Sequence, residues 1–146
     1  MALQRMDNVG IVVDDLDATI AFFTELGMEL EGQTLIEDPW AARVVGIDGQ
    51  RVGIAMMRTP DGHSRLELMK YHTPAAIIPE PAKAPVNTLG IRRLMFAVDD
   101  IEDVVARLRA HGAEPIGELV RYEDSYLLCY LYGPEKIMIA LAERIG

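Results

Sequence analysis

Two stretches of this chain repeat one pattern of apolar and polar positions. Val9, Ile11 and Val13 alternate with Asn8, Gly10 and Val12, the period of two expected of a half-buried strand. An acidic pair follows, and Asp14 or Asp15 is positioned to cap a helix whose Leu16, Ile20, Phe23 and Leu26 fall on one face before Gly27 ends it. The same order returns 85 residues later. Leu94, Phe96 and Val98 alternate with Arg93, Met95 and Ala97, and Ile101, Val104, Val105 and Leu108 form a helical stripe that stops at Gly112. Without a gap, Val13-Asp14-Asp15-Leu16-Asp17 maps onto Val98-Asp99-Asp100-Ile101-Glu102, Gly27 onto Gly112 and Gly32 onto Gly117. An internal repeat organises the sequence.

Each helix is followed by three strand-like stretches, residues 28–37, 51–58 and 64–71 in the first copy and 114–122, 126–132 and 136–142 in the second. The fold class predicted is α+β, built from two tandem β-α-β-β-β modules over residues 1–73 and 88–146. Between them, residues 74–87 carry Pro74, Pro79, Pro81 and Pro85, a proline density that no helix tolerates, so a mostly extended connector is expected within one structural domain. The first copy has an insertion in which Asp38-Pro39-Trp40 reads as the cap, first residue and anchor of a short helix through Val45. Pro60-Asp61-Gly62 is a turn signal, answered in the second copy by Pro134-Glu135-Lys136, where lysine replaces the expected glycine.

The chain has 146 residues, half of them hydrophobic and a quarter charged, within the range of an ordinary globular fold. Its formal net charge of −9 argues against a nucleic-acid partner, whose affinity comes largely from Lys and Arg displacing counterions. Cys129 is the single cysteine and lies in the apolar run Leu127–Leu131, so no intrachain disulfide forms and a buried, inert thiol is expected. Polar Asp7-Asn8 interrupts the N-terminus before a signal-peptide core, and no apolar run approaches a membrane span, which predicts a cytoplasmic protein without membrane contact.

Paired β-α-β-β-β modules with the Val13-Asp14-Asp15-Leu16 start, the Pro60-Asp61-Gly62 turn and a Leu66-Glu67-Leu68 final strand resemble the vicinal oxygen chelate superfamily, which includes glyoxalase I, methylmalonyl-CoA epimerase, extradiol dioxygenases and bleomycin-resistance proteins. The resemblance covers essentially the whole chain. It implies a cup-shaped mixed sheet with helices on the outer face, and a metal site fed by the first and last strand of each module. Carried onto this sequence, the ligand positions are Asn8, Glu67, Arg93 and Ala140. A divalent cation needs oxygen, imidazole or thiolate donors. Glu67 alone qualifies as a good ligand; Asn8 offers a neutral carbonyl, Ala140 nothing, and Arg93 a permanent positive charge. No metal and no cofactor is therefore expected. His63, His72 and His111 stand at a turn, a strand end and a helix end and do not converge. Gly46, Gly49 and Gly53 are too dispersed for a dinucleotide-binding loop.

Strand alternation sorts the residues that would line the cavity. Gly10 and Val12 join Asn8; Met69 and Tyr71 join Glu67; Met95 and Ala97 join Arg93; Met138 and Ala142 join Ala140. The strand over residues 51–58 adds either Ile54 and Met56 or Ala55 and Met57, its register being open. Polarizable methionines suit flat conjugated ligands of irregular outline, and Trp40, with Tyr126 or Tyr130, supplies stacking surface. The candidate ligand-binding set is thus Asn8, Gly10, Trp40, Met56, Glu67, Met69, Tyr71, Arg93, Met95, Tyr126, Met138 and Ala140.

Three functions follow in order of fit. The first is a metal-independent binder that sequesters a natural product or antibiotic in the manner of bleomycin-resistance proteins, as a homodimer. The second is a cofactorless isomerase or lyase of a natural-product pathway, with Glu67 as general base and Arg93 steadying a developing enolate. The third, a metal-dependent glyoxalase, epimerase or dioxygenase, needs ligands that this sequence lacks.

Overall fold

The computed structural model describes residues 2–146. Two compact units emerge, the first running to Ile77 and the second beginning at Ile78, and the fold is α+β as the pattern predicts.

In the first unit the elements are β1 (Val9–Val12), α1 (Leu16–Leu26), β2 (Glu29–Ile36), α2 (Pro39–Val45), β3 (Arg51–Arg58) and β4 (Arg65–Thr73). The four strands pair in the order β1-β4-β3-β2, with β1 parallel to β4 and the other contacts antiparallel. Asp15 caps α1: the Ala18 N–H donates to its carboxylate at 3.0 Å. Gly27, at φ 122°, closes the helix with its N–H on the Phe23 and Thr24 carbonyls, a conformation glycine adopts without a Cβ penalty.

The buried stripe of α1 differs from the expected one. Thr19, Phe22 and Phe23 are buried, whereas Leu16, Ile20 and Leu26 are half-buried. Thr19 is tolerated inside because its hydroxyl donates to the Asp15 carbonyl at 2.8 Å, which satisfies the one polar group it carries. Phe22 and Phe23 meet edge to face, ring centroids 5.3 Å apart. The helix lies against β2, β3 and β4. Ala55 and Met57 of β3 and Leu66 and Leu68 of β4 are buried, so they form the helix side of the sheet.

The insertion forms the short helix expected, but the Asp38 side chain makes no cap hydrogen bond and Trp40 does not anchor it. Asp38 precedes α2, Pro39 opens it, and Gly46 ends it in the left-handed region at φ 79°. Ala41 and Ala42 are buried while Trp40 stays 54% exposed.

The second unit contains β5 (Arg93–Ala97), α3 (Ile101–Arg109), β6 (Glu114–Pro115), β7 (Val120–Tyr122), β8 (Tyr126–Tyr132) and β9 (Met138–Arg144). Its sheet runs β5-β9-β8-β6, with β7 also paired to β8 and β5 parallel to β9. Asp100 caps α3, and the Ile101 N–H donates to the Glu143 carboxylate at 2.8 Å, a second acceptor for the unpaired donors of a helix start. Of the expected stripe Ile101, Val104 and Leu108 are buried and Val105 is half-buried.

Three sequence expectations are corrected here. The single strand expected over 114–122 is broken into β6 and β7. Pro115 pairs with Leu131 at a position where its absent N–H would face away from β8, and after the Ile116 N–H donates to the Tyr130 carbonyl at 2.9 Å, pairing resumes only at Val120. The last strand begins at Met138 rather than 136, because Glu135 and Lys136 both take left-handed φ values, 56° and 59°, to close the turn that Gly62 closes in the first unit at φ 77°. Residues 74–92 hold neither helix nor strand, and turns at 74–75 and 86–87 interrupt the expected extended run.

Candidate functional site

The open faces of the two sheets, opposite their buried sides, carry the candidate residues. In the first unit, cross-strand register fixes which side chains share that face. Gly10 is paired with Glu67 and Val12 with Met69; Met56 is paired with Glu67 and Ile54 with Met69. Ile54 and Met56, not Ala55 and Met57, therefore lie on the open side, which settles the register left open by the sequence. Glu67 is half-buried between Gly10 and Met56, with Asn8 just before β1 and Met69 and Tyr71 further along its own strand. The Met69 methyl lies so close over Gly10 that a Cβ there would stand 3.0 Å from it. Glycine at this position keeps the neighbourhood of Glu67 open to that thioether.

Beside Glu67, on the same face, lies an ionic strip that the sequence reading missed. Arg65 holds Glu31 at 2.8 Å, and Arg58, cross-strand from Arg65, holds Glu29 at 2.6 Å and reaches Glu31 at 3.8 Å. The hydrogen bond from Arg65 keeps the Glu31 carboxyl below the usual carboxylate range. Alternation of charge across β2, β3 and β4 was the available signal, but it appears only once the strands are in register.

In the second unit Arg93, Met95 and Ala97 pair with Met138, Ala140 and Ala142, and Tyr130 and Leu128 pair with Ala140 and Ala142. Tyr126 and Tyr130 thus both belong to this face. The Arg93 guanidinium stands 5.5 Å from the Tyr130 ring centre, a cation–π contact that orients it while leaving donors free. Met95 is 52% exposed, whereas Met138 and Ala140 are buried at 3% and 0%. Met95 and Arg93, with half-buried Tyr130, are thus the accessible groups of this face.

The remaining candidates do not join these clusters. Trp40 is exposed on α2. His63 is exposed in the turn, where its N–H donates to Asp61 at 3.0 Å; His72 places Nε2 over Gly53, 3.3 Å from where a Cβ would stand; His111 follows α3. Cys129 is free and buried, and burial pushes its thiol pKa up.

The donor chemistry at Asn8, Glu67, Arg93 and Ala140 does not fit a divalent cation: one carboxylate and one neutral amide stand against a guanidinium and a methyl group. Among the described residues no group of three or more His, Cys, Asp or Glu side chains is placed to hold a metal ion. Nor is any described helix long and apolar enough to cross a membrane. What the open faces offer is hydrogen-bond acceptance by Glu67, donation by Arg93, and methionine and tyrosine surface.

Residues 5–141 match the Glyoxalase/Bleomycin resistance protein/Dioxygenase superfamily, and the chain belongs to it. A glyoxalase-family protein from Bacillus cereus, known as a crystal structure, is 55% identical, with 100% of this chain and 99% of that one covered and a TM-score of 0.95. Glyoxalase I from Zea mays shares the fold at 20% identity and a TM-score of 0.67, over 97% of this chain and 47% of that one. The Escherichia coli (strain K12) protein YaeR is 27% identical over 117 residues, 78% of this chain and 76% of its own.

Proposed function

We propose that this protein binds a small natural product with an apolar, aromatic body, without a metal ion, and holds it unaltered in the manner of a resistance protein that sequesters an antibiotic. The carrying observation is the residue set Asn8, Glu67, Arg93 and Ala140 at the positions where metal-dependent relatives place their ligands. Support comes from the side chains around two of them. Met56 and Met69 flank Glu67, and Tyr130 and Met95 flank Arg93, giving polarizable surface beside one hydrogen-bonding group on each face.

A free Cys129 thiol suits a reducing, cytoplasmic setting. Trp40, Val44 and Val45 are exposed together on α2, an apolar face that a homodimer would cover; light scattering at micromolar concentration should give twice the chain mass.

The direct test is titration with bleomycin, a tetracycline and an anthracycline, followed by Trp40 fluorescence and by mass analysis of the recovered compound. A saturable change with an unaltered ligand is expected. A changed mass or stereochemistry favours the second reading, a metal-free isomerase or lyase, for which the half-buried carboxylate of Glu67 among methionines is the specific observation. Glu67→Gln then separates the two: turnover falls by about a hundredfold or more if the carboxylate is a general base, whereas a binder loses about tenfold in affinity or less.

A further inference from the structure

The break between β6 and β7 opens the second unit on its helix side. A cleft of about 270 Å³ lies there, walled by Val105 and Arg109 of α3, Pro115 and Leu119 flanking the break, and Cys129 and Leu131 of β8. A second cleft of about 320 Å³ reaches the same break from the open side, and the two share Gly117, Cys129 and Tyr130. Val105, Leu119 and Leu131 give the helix-side cleft an apolar part, and Arg109 a cationic one. Arg109, the last residue of α3, is exposed; its carbonyl accepts from the Gly112 N–H at 3.0 Å, while its guanidinium, unlike that of Arg107, which holds Asp103 at 3.0 Å, is engaged by no carboxylate among the described residues.

We propose that this helix-side cleft binds a small organic carboxylate with an apolar body, the carboxylate on the Arg109 guanidinium and the body against Val105, Leu119 and Leu131. The volume sets the size: it falls below the roughly 300–1,000 Å³ of pockets for drug-sized ligands and suits a single substituted ring. Charge sets the head group. In a chain of net charge −9 long-range repulsion disfavours anions, so a bound anion must be held locally, and a planar guanidinium matches a carboxylate fork to fork. The site shares Tyr130 with the open face but lies on the helix side, and its head group is Arg109 rather than Arg93.

Cys129 supplies the readout, being the one cysteine of the chain and part of the cleft wall. The probe is 4-fluorobenzoate, its neutral control 4-fluorobenzamide. Binding is followed by fluorine NMR line broadening, and occupancy of the cleft by the rate at which iodoacetamide alkylates Cys129 in the intact protein. Saturating 4-fluorobenzoate is expected to slow alkylation by about fivefold or more, the amide to leave it unchanged, and Arg109→Gln to weaken the benzoate by about tenfold. Arg107→Gln should have no effect. Gly117→Val offers a second route: a Cβ at Gly117 meets nothing within 4 Å, so the fold is kept while the added side chain narrows the break and reduces binding. The proposal is overturned if the benzoate fails to protect Cys129, if the amide protects equally, or if Arg109→Gln binds the benzoate as the native protein does.

Discussion

The first and second modules follow one plan, yet they treat the strand after the helix differently. In the first, β2 tolerates a bulge between Leu30 and Gly32 and returns to register with Met56 at once. In the second, Pro115 and Gly117 stand at the positions corresponding to Leu30 and Gly32, and pairing with β8 is lost until Val120 meets Leu128. The same irregularity is thus a local kink in one copy and an opening in the other. The break falls after the proline, not at it: Pro115 still faces Leu131 and the Ile116 N–H still reaches the Tyr130 carbonyl at 2.9 Å, so pairing is lost over residues 117–119, where the second copy does not return to register as β2 does. Repetition fixes the plan of the module but not the register at its edge.

A second contrast lies at the start of the same strands. Glu29 pairs with Arg58 across the sheet, whereas its counterpart Glu114 is held by Lys83 and Lys136, each at 2.9 Å. Lys83 also stands 4.8 Å from the Tyr132 ring centre, and the Tyr132 hydroxyl donates to the Ala84 carbonyl at 3.2 Å. These contacts fasten the end of the connector to the second sheet.

Four experiments bear on this comparison. The largest effect is expected in the core of the intact sheet: Phe23→Ala, at a side chain with no exposure, should cost about 3–5 kcal/mol in a denaturant titration, and a loss below 1 kcal/mol would show that α1 is not the cover of that sheet. Next, amide exchange in Val120–Tyr122 should run at least about tenfold faster than in Gln33–Leu35, because a three-residue strand beyond a break opens locally; equal protection would remove the distinction between the two edges.

The third experiment is smaller. Glu143→Ala removes the carboxylate that receives the Ile101 N–H and should cost about 1 kcal/mol, as loss of a helix-start acceptor does, with α3 rather than α1 showing faster exchange. The smallest effect concerns Glu114. Hydrogen bonds from Lys83 and Lys136 lower its pKa from the usual 4.5 to about 2. A depressed carboxylate pKa stabilises the folded state above the unfolded value, and that contribution is lost as pH falls through the folded one. Carboxyl NMR should place the Glu114 titration near pH 2, with its stabilisation fading between about pH 4.5 and 2; Lys83→Gln and Lys136→Gln should each move the midpoint upward.

Much of the fold was legible because the informative residues are few and specific. The 85-residue repeat revealed both modules, and Asp38-Pro39-Trp40 the short helix α2. Registers were harder. Arg51–Arg58 and Tyr126–Tyr132 carry apolar side chains on both faces, so alternation vanishes, and only the position of the covering helix decides that Ala55, Met57 and Cys129 turn inward. Thr19 was missed because a hydroxyl bonded to its own helix buries as an apolar group does. The ionic strip of Arg58, Arg65, Glu29 and Glu31 depends on three strands being aligned, which no single stretch of sequence displays. Glu67 and Arg93, by contrast, are candidates on residue type and position alone.

That contrast leads to the claim on which the functional reading rests, that a guanidinium and a methyl group have dismantled a cation site. Elemental analysis of protein purified without chelators, then dialysed against manganese, nickel and zinc in turn, measures it directly. Fewer than about 0.1 metal ions per chain should remain in every case, as expected where one carboxylate and one amide are the available donors. One ion per chain that survives dialysis and disappears in Glu67→Gln would contradict the account.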